Sequence, residues 1–598
     1  MNRGQSLKAY QSALRHMQAG RHAEAQKSCR EVLQAEPNHA DALHLMGALS
    51  VRESRPDAAI EWICQAIRQD PKPIYICNLG SILQSQRRFD EALQAFDKAV
   101  QLNPGDAPTW KKLAGVLADL KSHADAALCY QRVLTLDVRD WDAAYRAGQQ
   151  LHAAGKFEEA LASLDLAHEL DPKQAVVLKM RADTLCRLQR FEAALDDNRR
   201  ANVLDPDNAD TCNNIGACLQ ALGRETEALE WFDRADKILP NTVEILNNRA
   251  FLLGQLQRFD EAFALYDRMK AAGLNNAVTD WNRSLIELLT GNFEPGWIGR
   301  EARWRKTNPV FYPAFEQPMW RGQEPVEGKT VLVHVDEGLG DTIQFARYLP
   351  MLAARGARII LVVEHQAQRL LAGLSGVSEC LAFPADPPPA FDLHCAIGSL
   401  PLAFGTRLDT VPAATAYLPS PPEAEIEAWD IRLGPRDRLR IGLVWSGNPN
   451  HPNDRNRSMP LRTMSGLLAF DARFVSLQKN PRHDDKALLA GLDILDATEH
   501  LHDLADTAAL IACLDLVITV DTGVAHLAAA LGRPTWILLP HTPDYRWLLG
   551  RDDSPWYPTA RLFRKSATGD YDQVIRHVMD ELQRFAAEQP RPAAPAAG

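Results

Sequence analysis

Prolines stand at positions 37, 71, 104, 172, 206 and 240, and Val138 fills the one gap in a series that advances about 34 residues at a time. Small residues recur in register with them. Gly47, Gly80, Gly148 and Gly216 take one position, while Ala25, Ala59, Ala92, Ala126, Ala160, Ala194, Ala228 and Ala262 take another. Small residues let two antiparallel helices approach closely, and a proline stops the second helix before the next unit begins. A chain built this way folds as stacked helix pairs, each burying its apolar face on its neighbours.

The unit, complete in "NPGDAPTWKKLAGVLADLKSHADAALCYQRVLTLD", resembles the tetratricopeptide repeat. The pattern predicts an all-α superhelix over 1–276 with eight repeats from residue 6, then a degenerate half repeat and aromatic-rich linker over 277–327. Such arrays present a long concave surface that binds peptides or proteins. Asn78, Asn214, Asn248 and Asn282 each stand two residues before a small residue of the first helix, and the last three are spaced 34 apart. This resembles the asparagine ladder in the repeats of O-GlcNAc transferases, which implies a grip on a peptide backbone through amide donors and acceptors. Lys112, Arg146 and Met180 interrupt the ladder in the middle repeats.

From about Gly328 the period changes to alternating strands and helices, the mark of parallel α/β folds. "TVLVHV" and "RIILVVE" open a first half over 328–428, and "LPSPPEAEIEAWDIRLGPRDR" reads as a linker. "RIGLVWSGN", "RFVSLQ" and "LDLVITV" begin a second half over 429–585, and 586–598 reads as a low-complexity, disordered tail. The 598 residues are too many for one core, and a net charge of -11 argues against a general affinity for nucleic acid or anionic membrane. The ten cysteines form no CxxC pair, and no apolar run is long enough for a signal peptide or membrane span. A cytoplasmic location with no metal site is the expectation.

Three stretches of the α/β region carry chemistry. In "ITVDTGVAHLAAALGRPTWILL" a strand hands over to a helix through Asp521, Thr522 and Gly523, with His526 in the first turns. A helix N-terminus at a strand's carboxyl end is a ready anion site. In "GLVWSGNPNHPNDRNRSMPL", Arg455 and Arg457 lie in a polar loop after a strand, where guanidinium groups suit a phosphate-bearing leaving group, and Lys479 ends the next strand at the same edge. In "VDEGLGDTIQFARYLP", Gly338 and Gly340 permit a tight turn into Asp341, read either as a helix cap or as a carboxylate that takes a proton from an acceptor hydroxyl.

Together these stretches resemble glycosyltransferase family 9, the ADP-heptose heptosyltransferases, over about 328–575. The resemblance implies a GT-B fold of two Rossmann-like halves and an inverting, metal-independent transfer. Asp341 is then the base, and Thr522, Gly523, His526 and Asp521 form the donor site with Arg455, Arg457 and Lys479. Arg457 stands where that family has lysine, and Met459 where it has Trp. Asp544, Arg546 and Trp547 are expected to line the cleft. No cofactor is implied beyond a nucleotide-diphospho-sugar co-substrate. The layout of repeats before a transferase resembles O-GlcNAc transferase and implies a protein acceptor, such as a bacterial surface or flagellar protein. Transfer to a glycolipid or polysaccharide precursor, or a scaffold with an inactive transferase domain, are the alternatives.

Overall fold

The computed structural model describes residues 3–305, 315–385, 389–451 and 453–588. The chain divides into two compact units, Met1–Asn248 and Arg249–Gly598. The repeat pattern would end the array at 276, whereas the division falls within the helix Val243–Gln255.

The first unit runs in helix pairs from Arg3–Gln18 and His22–Ala35 to Ala209–Ala221 and Glu225–Ile238. Each proline of the series lies just beyond a second helix, as Pro104 does after Phe89–Leu102. The in-register alanines are fully buried. The glycines mark the closest helix approaches. A Cβ on Gly80 would lie 2.8 Å from Phe96 Cε1, on Gly148 2.6 Å from Leu164 Cγ, and on Gly216 2.6 Å from Phe232 Cε1. Several first helices are capped by the residue before them, as where Asp140 Oδ1 accepts from Ala143 N at 2.9 Å.

The second unit begins with repeat-like helices. The segment read as a half repeat is a full helix pair, Ala277–Leu289 and Phe293–Arg300, followed by a 3₁₀ turn Glu301–Arg305. Two glycines draw the pair together, since a Cβ on Gly296 would lie 2.6 Å from Leu288 Cγ and one on Gly299 2.7 Å from Ser284 Cβ. The glycines obscure the pattern because "EPGWIGR" has little helix propensity of its own, and tertiary packing overrides it. Trp297 is buried and sets its ring edge-on to Phe345, Tyr545 and Trp556. Its Nε1 donates to Thr406 O at 3.0 Å.

Two parallel sheets follow. The first has strands β1 (Thr330–His334), β2 (Arg358–Val363), β3 (Val377–Ala382) and β4 (Leu393–Ala396) in the order β3-β2-β1-β4. The second has β5 (Arg440–Val444), β6 (Arg473–Ser476), β7 (Ile494–Asp496), β8 (Leu516–Val520), β9 (Thr535–Leu539) and β10 (Ala560–Arg564) in the order β10-β9-β8-β5-β6-β7. In the second sheet β5, β8 and β9 are buried throughout, as expected of a sheet covered on both faces. The stretch read as a linker holds a helix, Glu423–Leu433, with Trp429 and Leu433 buried against the helix Leu504–Ala512, so a boundary at 428/429 would cut it. The last helix, Tyr571–Glu588, takes in the first three residues of the stretch read as a tail; 589–598 lie outside the described residues.

Candidate active site

The carboxyl ends of β1, β5 and β8 bring the predicted residues towards one place. After β1 the loop enters the helix Leu339–Ala346, whose N-cap is Gly338 with no side-chain cap. Asp341 is therefore not the cap but the third residue of the helix. Its Oδ1 accepts from Arg546 Nη2, and both side chains are largely buried. Arg546 also donates through Nε to Gln344 Oε1 at 2.6 Å and through Nη1 to Asp544 Oδ1 at 2.6 Å. One guanidinium thus ties the first half to the second at the carboxylate the sequence singles out. Burial, then the charge of nearby Arg300, brings the Arg546 pKa down to about 10. Burial, then the charge of Asp521, pushes Asp544 up to about 7.

After β8, Thr522 is the N-cap of the helix Gly523–Ala530 in extended backbone, and its side chain makes no cap bond. The hydroxyl instead lies 3.2 Å from Thr519 Oγ1. A Cβ on Gly523, the first residue of this helix, would meet only Gly340 N, at 4.0 Å. Such a terminus can hold an anion through its orphan donors and dipole. Asp521 is buried, which raises its carboxyl against the pull of Arg457.

His526 is buried. Its Nδ1 lies 2.9 Å from Tyr557 Oη, and its ring stacks on Trp547 at 5.3 Å. Burial, then Arg347 and Arg457, brings its pKa down to about 3, so the ring is neutral at ordinary pH. A Cβ on Gly340 would come 2.9 Å from His526 Cδ2 and 3.3 Å from Nε2. Glycine at 340 therefore serves a close approach of the loop after β1 to this ring as much as a turn. Trp547, predicted at the cleft, is fully buried under that ring.

After β5, the loop folds back on itself. Gly447 N donates to Ser458 Oγ at 2.9 Å, and Ser458 Oγ donates to Asp454 Oδ1 at 2.6 Å. Arg457 lies flat over this turn, because a Cβ on Gly447 would sit 2.8 Å from its Nη2. Its Nη1 donates to Asp521 O at 3.2 Å, and its buried Nε has no hydrogen-bond partner among the described residues. Arg457 thus sits beside the Asp521–Gly523 joint, with Asp454 Oδ1 3.9 Å from its Nε. Arg455 is exposed. Lys479 is also exposed, with its Nζ on His502 O at 3.3 Å.

Each ladder asparagine of the first unit makes one amide contact within the array. Asn78 Nδ2 lies 2.8 Å from His44 Nε2, Asn214 Nδ2 donates to Asp183 Oδ1 at 3.3 Å, and Asn248 Nδ2 donates to Asn213 Oδ1 at 3.0 Å. Asn282 belongs to the second unit, on the helix Ala277–Leu289.

Sequence reasoning missed the charged layer behind Asp341. Arg303 Nε donates to Asp336 Oδ2 at 2.7 Å, and Arg300 pairs with Glu337. Arg347 Nη1 donates to Pro412 O at 3.1 Å and its Nη2 to Tyr417 Oη at 3.2 Å, across the two sheets' connection. The consecutive acids before "GLGD" are the one visible signal, since two carboxylates at a buried strand end need counter-charge.

Comparison with known proteins follows the same division. Tetratricopeptide-repeat family models match residues 16–76, 74–106, 112–175 and 179–241. The model of glycosyltransferase family 9 (heptosyltransferase) matches residues 501–575. The chain therefore combines tetratricopeptide repeats with a C-terminal glycosyltransferase family 9 segment. That segment includes Asp521, Thr522, Gly523, His526, Asp544, Arg546 and Trp547, while Asp341, Arg455, Arg457 and Lys479 lie outside it. Protein FlbA of Caulobacter vibrioides is 27% identical over 343 residues, covering 52% of this chain and 56% of its own. Protein O-mannosyl-transferase TMTC1 of Homo sapiens is 29% identical over 122 residues, covering 20% of this chain and 14% of its own. The chain thus spans little more than half, or much less, of these relatives' length. Among solved structures, the C-terminal part of a repeat protein from Cytophaga hutchinsonii is 13% identical with a TM-score of 0.36, covering 40% of this chain and 98% of its own. No helix among the described residues is long and apolar enough to cross a membrane.

Proposed function

We propose that the chain is a GT-B glycosyltransferase that moves a sugar from a nucleotide-diphospho-sugar to a hydroxyl of a protein held by its repeats, with inversion at the anomeric carbon and no metal ion. The observation that carries this reading is the meeting of Asp341 with the joint at Thr522–Gly523, where Gly340 lies against His526 and Arg457 lies beside Asp521. In the reaction the acceptor oxygen forms a bond to the anomeric carbon as the bond to the nucleoside diphosphate breaks. Asp341 takes the hydroxyl proton, and its pairing with Arg546 orients it. The helix N-terminus and the guanidinium of Arg457, which sits on Asp521 O, receive the charge that builds on the leaving diphosphate, replacing the role a cation would play. His526, neutral and pinned by Tyr557, supports the joint by packing. Lys479 and Arg455 stand further out and contribute long-range attraction for the donor.

A protein acceptor is favoured because stacked repeats present extended surfaces for polypeptide, and because one matched relative is named a protein O-mannosyl-transferase. The test is turnover of a panel of ADP-, UDP- and GDP-sugars by the full chain, read as nucleoside diphosphate release and by the anomeric configuration of the product. Release with inverted product is expected. No release and no thermal stabilisation by any donor would instead leave a scaffold.

A further inference from the structure

Arg300, at the end of the last helix pair, and Arg303, in the turn after it, reach the loop that leads to Asp341. Arg303, in the 3₁₀ turn, is buried and makes four hydrogen bonds. Its Nε donates to Asp336 Oδ2 at 2.7 Å, its Nη2 to Ser399 Oγ at 2.6 Å, and its Nη1 to Arg300 O at 2.9 Å and Glu301 Oε1 at 2.7 Å. Asp336 is held from its other side by Gly398 N at 3.0 Å, where a Cβ would fall 3.0 Å from Asp336 Oδ2. Arg300 is 2% exposed, pairs with Glu337, and lies over the rings of Trp281 and Tyr545 at 4.9 Å each. Tyr545 adjoins Arg546, the partner of Asp341 and Asp544.

The loop 335–338 leads through Gly338 and Gly340 into the helix, and backbone with so little side-chain restraint has little stiffness of its own. Its two consecutive acids are each gripped by an arginine from outside the α/β fold. We infer that Arg303 and Arg300 are positioning residues for Asp341, fixing the loop through Asp336 and Glu337, so that the final repeat-like helix pair is a working part of the transfer site. This rests on Asp341 being the base. A fork that donates to Asp336 and Ser399 at once fixes direction as well as charge, which a lysine at 303 does not reproduce.

The test is amide hydrogen exchange of the full-length chain, read over 336–341, together with steady-state kinetics on the best nucleotide-sugar of the panel. Arg303→Lys is expected to speed exchange in 336–341 by about ten-fold while β5, β8 and β9 keep their protection. It is expected to lower kcat by about 10–100-fold with KM for the donor changed less than two-fold. Ser399→Ala, a gentler change that removes one arm of the fork, should show the same pattern at smaller size. It takes over the test if Arg303→Lys does not fold. Arg305→Ala, an exposed neighbour paired with Asp280, should change neither readout. Unchanged exchange over 336–341, or equal acceleration across the whole unit, would overturn the inference. If the parent turns over no nucleotide-sugar, the transferase reading fails by itself, while the exchange readout still decides whether these arginines hold the loop.

Discussion

In the repeat array a glycine marks the place where a neighbouring helix must come close, whereas around the candidate site a glycine makes room for a polar or charged side chain. Gly80, Gly148 and Gly216 face Phe96, Leu164 and Phe232. Gly340, Gly398 and Gly447 face His526, Asp336 and Arg457. Charge divides the same way. Pairs of the array such as Arg88–Glu91 and Arg224–Glu227 are solvent-exposed, with Arg181–Asp197 an exception, while Arg303–Asp336, Arg300–Glu337 and Arg546–Asp341 are buried. Exposed pairs contribute about 0–1 kcal/mol each, whereas removing one partner of a buried pair costs about 3–5 kcal/mol. The array is therefore stabilised by many small, repeated contacts, and the second unit concentrates costly charge in one place. Proteins tolerate that concentration where an oriented charge has a task.

The comparison can be broken first at Asp341. Asp341→Asn should lower kcat by about 10²–10⁴-fold while calorimetric donor affinity stays within a few-fold of the parent. Persistent transfer would reduce Asp341 to an interdomain ion-pair residue. A paired glycine test comes next. Gly340→Ala forces a Cβ against a ring held by Tyr557 and Trp547, so it should cost about 1–3 kcal/mol and also slow turnover. Gly216→Ala should cost a similar amount against Phe232, yet leave turnover on a small acceptor unchanged. Equal kinetic effects would erase the distinction between the two regions.

The smallest effect concerns pH. The folded pKa of Asp544, about 7, exceeds the unfolded value near 4, so its contribution to stability is complete below about pH 4 and is lost as pH rises through 7. Asp544→Asn removes that loss. The Tm of the variant relative to the parent should be most favourable at pH 8 and should decline as pH falls from 7 towards 5. A difference independent of pH would show that Asp544 is ionised throughout.

The array was legible because its signal is periodic, and each proline and alanine repeats the same constraint. The last helix pair was not, because Gly296 and Gly299 weaken the local helix signal while creating the packing that makes it a pair. The strand–helix joints at Asp341 and Thr522 could be read from local turn chemistry. The partners of Asp341 could not, since Arg546 lies 205 positions along the chain and Arg300 and Arg303 precede the α/β fold altogether. His526 shows the converse limit. Its place in the motif suggested contact with the donor, and only the packing of Tyr557, Trp547 and Gly340 reveals a neutral, enclosed ring.

In the proposed transferase the donor's diphosphate sits where Arg457 meets the Thr522–Gly523 joint. Calorimetric titration of the best nucleotide-sugar into the parent, Arg457→Ala and Arg455→Ala tests it most directly. The partly buried guanidinium of Arg457, seated on Asp521 O, predicts a loss of affinity of about 10–100-fold on its removal, and exposed Arg455 a change under about three-fold. Undiminished affinity in Arg457→Ala, or an equal loss in both variants, would contradict the assignment.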